Sequence, residues 1–251
     1  MARVLVERGI VLEAVLVQTG SPAPLSQGAS VWTKSLPDAM RRRLRYWRRQ
    51  KSFYKPLKTR IWPAGAVNSA TMLRLLKRLG PDYIIVGSGN ILSPAIIETA
   101  RCGVLNVHPA LLPWIRGSGV VGHSIQQAVP VGATLHFIDA GIDTGAIIER
   151  RLLPIPAKDT ALAQLQDEAG GLAAQLMGDW VENIVRTGQK PPATAQTTRF
   201  PLFKWPAIEV RRAQVELIKN GRPQELFEAW RDFSDGPPNW ILPPELMEIP
   251  R

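Results

Sequence analysis

The sequence predicts an α/β protein, a mainly parallel β-sheet with helices on both faces. Short apolar runs alternate along the chain with segments whose apolar residues recur every three or four positions. Leu162, Leu165, Ala169, Leu172, Leu176, Trp180 and Ile184 form one such segment, a long amphipathic helix that stops at Gly188. The run Val104-Leu-Asn-Val-His108 is apolar except for Asn106 and His108 at its carboxyl end, the end at which open α/β sheets hold their ligands. Strand-helix alternation of this kind argues for parallel strands joined by crossover helices.

The elements follow in order. Leu12 to Val17 is a β-run closed by Gly20-Ser-Pro-Ala-Pro. Arg60-Ile-Trp62 is a short strand. Asn68-Ser69 is a helix cap, because Met72, Leu73, Leu75, Leu76 and Leu79 follow at helical spacing up to Gly80-Pro81. Tyr83 to Val86 is a buried strand, and Pro94 to Thr99 opens with proline at a helix start. After the Asn106/His108 strand come the Leu111-Leu-Pro-Trp114 loop and a helix through Ser124 to Ala128. Thr134 to Ile138 and Ala146 to Leu153 are strands on either side of a glycine-punctuated turn, Asp139-Ala140-Gly141-Ile142-Asp143-Thr144-Gly145. Beyond the Pro191-Pro192 break the chain changes character. Residues 1–190 read as one domain, and 191–251, dense in Pro and Trp, as a small extension with a helix near 207–219 ending at Asn220-Gly221.

Composition excludes several classes. Hydrophobic content of 45% and charged content of 21% are those of an ordinary globular chain, and no apolar run reaches the roughly 20 residues of a membrane span. The first residues carry an acid and no cleavage signature, so no signal peptide is expected. A single cysteine, Cys102, allows no internal disulfide and fits a reducing cytoplasm; it reads as a quiet structural residue. The three histidines lie at no ligand spacing from a second His or Cys, so no metal is implied. The net charge of +10 is concentrated in residues 41–60, which hold ten Lys or Arg and no acid, with Tyr46, Trp47, Phe53 and Tyr54 interleaved. Such a block reads either as a solvated basic face or as a grip on a phosphate-bearing partner.

The candidate chemistry lies in Asn106, His108 and the Asp turn. At i, i+2 in a strand the first two side chains share a face. Moving an acyl group onto an amine requires stabilising an oxyanion and taking a proton from the nitrogen. An amide and an imidazole can donate to the oxygen, while a carboxylate orients the ring and favours its protonated form. Read singly, Asn106 is a turn-former before Pro109 and Asp143 an Asx-turn residue beside Gly145.

Taken together, Asn106-x-His-Pro-x-Leu-Leu-Pro113, Arg116-Gly117, His136 and Asp139-x-Gly-x-Asp-Thr-Gly145 resemble the folate-dependent formyltransferases, and Asn90-Ile-Leu-Ser-Pro94 resembles that family's pterin-pocket segment. The resemblance covers roughly residues 80–190. It implies a Rossmann-like formyltransferase fold with 10-formyltetrahydrofolate as formyl donor. It implies Asn106, His108 and Asp143 as the catalytic trio, the first two polarising the formyl oxygen and the third assisting proton transfer. The pterin would lie against Asn90, Ile91, Leu92 and Ile97, with main-chain bonds from Asp139, Ala140, Gly141 and Asp143. His136 is read as supporting, and His123 as a surface or second-shell residue.

The family begins with a central strand and a glycine-rich loop, whereas Ala2 to Gly9 resembles the end of the helix that follows them. Without that strand, which would lie between those at 12–17 and 83–86, backbone groups would be left unpaired at a cost of order several kcal/mol. The expectation is an upstream extension of about 20 to 40 residues. The expected acceptor is a small-molecule amine, a nucleotide-linked amino sugar in particular, since Pro109 after the histidine resembles the purine and sugar branches. Methionyl-tRNA, kept alive by the basic block, is the alternative, followed by formate release and by a non-catalytic folate-binding module.

Overall fold

The computed structural model describes residues 1–18, 55, 59–87, 89–154, 157, 160–196 and 200–230. Most of the basic segment 41–60 lies outside them. The chain divides into two compact units, one formed by residues 2–82 and 90–101, the other by residues 83–89 and everything from 102 onward.

In the first unit, helix α1 (Ala2–Glu7) leads to β1 (Ala14–Gln18), which pairs in parallel with β2 (Arg60–Gly65). Helix α2 (Ala70–Leu79) starts where the residue types require it. Ser69 Oγ accepts the Met72 N–H at 3.2 Å, and Gly80, at φ +55°, closes the other end with its N–H on the Leu76 carbonyl. Asn68, expected as part of the cap, does something else. Its Nδ2 donates to the Ile91 carbonyl at 2.9 Å and its Oδ1 accepts the Ser93 N–H at 2.8 Å, bracing the 91–93 turn. Pro94 then opens the short helix α3 (Pro94–Ile97). On this segment Leu92 is buried, Asn90 and Ile97 are half-buried, and Ile91 is exposed.

The second unit is built on a four-stranded sheet of β3 (Tyr83–Ile85), β4 (Gly103–His108), β6 (Gly132–Phe137) and β7 (Ile147–Leu152), hydrogen-bonded in that order. Only β3 and β4 run parallel; β4–β6 and β6–β7 are antiparallel. The expectation of a mainly parallel sheet is therefore corrected to a mixed one. The physical reason lies in the connections, because β6 and β7 are joined by the Asp139–Gly145 turn alone, too short for a crossover, and a connection of that length allows only antiparallel neighbours. Among the described residues β1 pairs only with β2, and β3 only with β4.

Between β4 and β6 lie β5 (Arg116–Gly117) and α4 (Val120–Gln126), which begins earlier than the sequence suggests, after Gly119 in the left-handed region. The long helix α5 (Leu162–Thr187) runs as expected and ends at Gly188, φ +67°. It lies against β6 and β4, whose Ala133, Leu135, Val104 and Leu105 are fully buried, and it buries Leu165 and Ala169 in a cluster with Val121, Ile125 and Ile218. Among the described residues no helix is long and apolar enough to cross a membrane.

The described residues of 191–230 fall in this same unit. Thr194 makes an antiparallel bridge to Ile147 on β7, and β8 (Leu202–Phe203) pairs in parallel with β5. The expected helix is α6 (Ile208–Lys219). After Gly221, at φ +84°, a further helix α7 (Arg222–Trp230) follows that the sequence reading did not anticipate. Its last residue, Trp230, is buried edge-on against Trp114, ring centroids 5.4 Å apart, in a cluster with Ala110, Leu111, Ile115, Val120 and Val129.

Candidate active site

Strand register sets the first two residues of the site. Asn106 on β4 lies directly opposite His136 on β6, and His108 opposite Thr134. Directly opposed residues share a face of the sheet, so the two polar pairs occupy one side of the β4 terminus. Thr134 is fully buried and spends its hydroxyl on the loop that leaves His108, donating to the Ala110 carbonyl at 2.7 Å and accepting the Leu112 N–H at 3.0 Å.

His136 has its tautomer fixed by its neighbours. Nδ1 lies 2.8 Å from the Phe137 carbonyl, which can only accept, so Nδ1 carries the proton. Nε2 is then a lone pair, and it accepts from Asn106 Nδ2 at 3.2 Å. That bond orients the Asn106 amide and leaves its second N–H and its Oδ1 without a partner among the described residues. Burial, the main cause, and the neighbouring His108 push the His136 pKa down to about 4, against the opposing pull of Asp143 and the Phe137 carbonyl.

His108 is buried, with Nε2 donating to the Ile115 carbonyl at 2.9 Å. Its Nδ1 stands 3.7 Å from Asp143 Oδ2, while Asp143 Oδ1 lies 4.0 Å from His136 Nε2. Burial lowers the His108 pKa, with Asp143 and the Ile115 carbonyl acting the other way. At neutral pH the ring is therefore neutral, its one N–H is taken by Ile115, and the nitrogen facing Asp143 is a base. In the neutral ring the one N–H faces the Ile115 carbonyl and Nδ1 is a lone pair toward Asp143.

Asp143 is held in a conformation that non-glycine residues rarely adopt, φ +53°. Its Oδ2 accepts the Gly117 N–H of β5 at 2.9 Å. Asp139, by contrast, is used by its own turn, Oδ1 accepting from the Gly141 N–H at 3.0 Å and from Thr144 Oγ1 at 2.6 Å. Residues 139–142 are exposed, and the N–H groups of Ala140 and Ile142 have no partner among the described residues. Sequence reasoning missed three contributors, the Ile115 carbonyl, the Gly117 N–H and Gln196. Only the second lay in a quoted motif. Of the expected site residues, Asn106, His108, Asp139, Ala140, Gly141 and Asp143 belong to this unit, while Asn90, Ile91, Leu92 and Ile97 belong to the other.

The depressed His136 pKa has a consequence for stability. Between pH 6.5 and about 4 the unfolded chain binds a proton that the folded ring refuses. Stability is therefore complete above pH 6.5 and falls as pH is lowered through that window, by on the order of 3 kcal/mol in total. Urea midpoints at pH 7.5 and 4.5 check this, the drop being smaller for His136→Gln; equal drops in both proteins would refute it.

The fold is an α/β one whose mixed sheet carries an Asn-His-Asp cluster at the end of β4. Residues 9–177 match the family model for formyl transferase, and the chain belongs to that family. It is 36% identical over 134 residues to the methionyl-tRNA formyltransferase of Bordetella pertussis, covering 51% of this chain and 43% of that protein. To the methionyl-tRNA formyltransferase of Stenotrophomonas maltophilia it is 33% identical over 138 residues, 54% of this chain and 44% of the other. The chain thus spans less than half the length of these curated relatives. Among solved structures, the formyltransferase PseJ from Anoxybacillus kamchatkensis, in complex with UDP-4,6-dideoxy-4-formamido-L-AltNAc and tetrahydrofolate, shares the fold. Its TM-score is 0.51 at 22% identity, covering 70% of this chain and 89% of that one. The phosphoribosylglycinamide formyltransferase of Bacillus halodurans matches with TM-score 0.51 at 18% identity, over 75% and 91% of the two chains.

Proposed function

We propose that this protein transfers a formyl group from 10-formyltetrahydrofolate to the primary amine of a small-molecule acceptor, with a nucleotide-linked amino sugar as the first candidate. The observation that carries this reading is the meeting of Asn106, His108 and Asp143. An amide and an imidazole from one strand and a carboxylate from the Asp turn are joined by contacts of 4.0 Å or less, His108 to Asp143 directly and Asn106 to Asp143 through His136. The donor would supply an activated formyl carbon. The exposed 139–142 turn is the proposed main-chain partner of the pterin, and Asn90, Ile91, Leu92 and Ile97 are proposed as its other contacts on the strength of the family resemblance.

Asn106, oriented by His136, donates its second amide N–H to the formyl oxygen as negative charge develops there. His108 Nδ1 takes the proton that the amine sheds on bonding to the formyl carbon. The imidazolium so formed lies against Asp143 and still donates to Ile115. It can pass the proton to the departing folate nitrogen, which closes the cycle with His108 neutral again.

Methionyl-tRNA is the second reading for the acceptor, favoured by the curated relatives and by the ten basic residues between 41 and 60. A test incubates the full chain with 10-formyltetrahydrofolate and, separately, a UDP-linked 4-amino sugar, glycinamide ribonucleotide and methionyl-tRNA, following tetrahydrofolate release. Formylation of the amino sugar is expected. Formylation of methionyl-tRNA alone overturns the acceptor assignment, and tetrahydrofolate binding with no transfer and no formate release points to a binding module.

A further inference from the structure

Gln196 lies outside every motif that defines the site, yet it reaches the loop that carries Asp143. Its Nε2 donates to two main-chain carbonyls, Gly145 O at 2.6 Å and Asp143 O at 3.2 Å. A carboxamide nitrogen has two N–H bonds, and here one is available for each acceptor. The bonds span more than 50 residues of chain, 51 to Gly145 and 53 to Asp143.

The glutamine is itself anchored. Two residues before it, Thr194 exchanges both backbone hydrogen bonds with Ile147, each 2.8 Å, so the segment lies along β7 immediately after the turn. At the other end of the loop Gly145 is buried, with the Phe137 carbonyl filling the space a Cβ would need. Asp143 is thereby fixed from two sides. The Gly117 N–H holds its carboxylate, and the Gln196 amide holds the carbonyl of this left-handed residue and that of Gly145, two residues on.

From this geometry we infer that Gln196 is a positioning residue, a clamp from the C-terminal segment that sets where the Asp143 carboxylate stands relative to His108. It rests on the reading that Asp143 and His108 act together in transfer. Water could satisfy the two carbonyls equally well in hydrogen-bond number, but it would not tie them to one donor and so would leave the left-handed turn free to relax. The Asp143–His108 separation of 3.7 Å, already too long for a direct hydrogen bond, has little room to grow before the pair is lost.

The test uses the full chain with isotope-labelled histidines, of which there are three, His108, His123 and His136. Gln196→Met keeps the length of the side chain and removes both donors. It is expected to move the ring resonances of His108 and His136 in the direction that Asp143→Asn moves them, while His123 stays in place. A Gln196→Glu variant places a carboxylate against two carbonyl oxygens at pH 8 and should show the same displacement. On acidification to pH 5 its carboxyl, raised above the ordinary glutamate range by those acceptors, gains an O–H that can donate to Gly145 again, and the resonances return toward wild type. A residue that merely stabilises the fold would lower the melting temperature without this pH-dependent return. Wild-type ring positions in both variants overturn the proposal.

Kinetics separates the two readings. With an acceptor identified by the panel above, Gln196→Met should lower kcat roughly 10- to 100-fold with KM little changed. If Asp143→Asn is inactive while Gln196→Met matches wild type, the clamp fails and the catalytic reading stands. If Asp143→Asn is fully active, the catalytic reading fails whatever Gln196 does.

Discussion

Asp143→Asn is expected to lower kcat for formyl transfer by about 10² to 10⁴, the range associated with a positioned acid-base group, with the fold intact. The substitution is nearly isosteric, and an amide oxygen can still accept the Gly117 N–H that now reaches Oδ2. What is lost is the charge that stabilises the His108 imidazolium. Burial opposes protonation of that ring, and the coulombic pull of Asp143 is the largest influence in its favour. Without the carboxylate a proton taken from the amine has little to hold it on Nδ1. His108→Asn should lose at least as much, since the base itself is gone. Steady-state kinetics with circular dichroism on the same samples tests both, and an Asp143→Asn enzyme within threefold of wild type would remove the carboxylate from the mechanism.

Gly145→Ala should unfold the site rather than tune it. A methyl group at that position would stand 1.9 Å from the Phe137 carbonyl oxygen and 2.8 Å from its carbon, and both atoms are backbone. No rotamer change relieves such a contact, so β6 or the turn must move. A cost of about 2 to 4 kcal/mol is expected, read as a lower urea midpoint. The control is Gly170→Ala. Gly170 lies exposed on α5 with open space where its Cβ would be, and there alanine should stabilise by about 0.5 to 1 kcal/mol. The opposite signs of two identical substitutions make the measurement decisive.

Much of this molecule is legible in its sequence because the signals are local. Ser69 caps α2 and Gly80 closes it, Gly188 ends α5, and the polar pair at the end of β4 stands out from an apolar strand. The direction of β6 and β7 is not legible from strand-helix alternation, because direction depends on connection length and the Asp-Gly turn is too short for a crossover. The protonation of His108 was not legible either. Burial keeps the ring neutral against the pull of Asp143 and of the Ile115 carbonyl, and that carbonyl, which no side-chain pattern encodes, fixes the remaining proton on Nε2. Gln196 gave no signal, since a lone glutamine after a Pro-rich break has no periodicity to mark it. Helix α7 was hidden behind Asn220-Gly221, a stop signal that here is a corner between two helices.

The opposition of Asn106 and His136 across the β4–β6 ladder bears on how such a protein can change over generations. Insertions between the two strands leave this one pairing untouched, because the ladder and not the intervening chain keeps the two side chains abreast, but near Ile115 and Gly117 they would displace the groups that hold His108 and Asp143. One added residue inside β6 would instead bring Leu135 or Phe137 opposite the asparagine and turn the histidine to the far face. For this pair, length variation is therefore affordable in the connection away from residues 110–117 and ruinous in the strand.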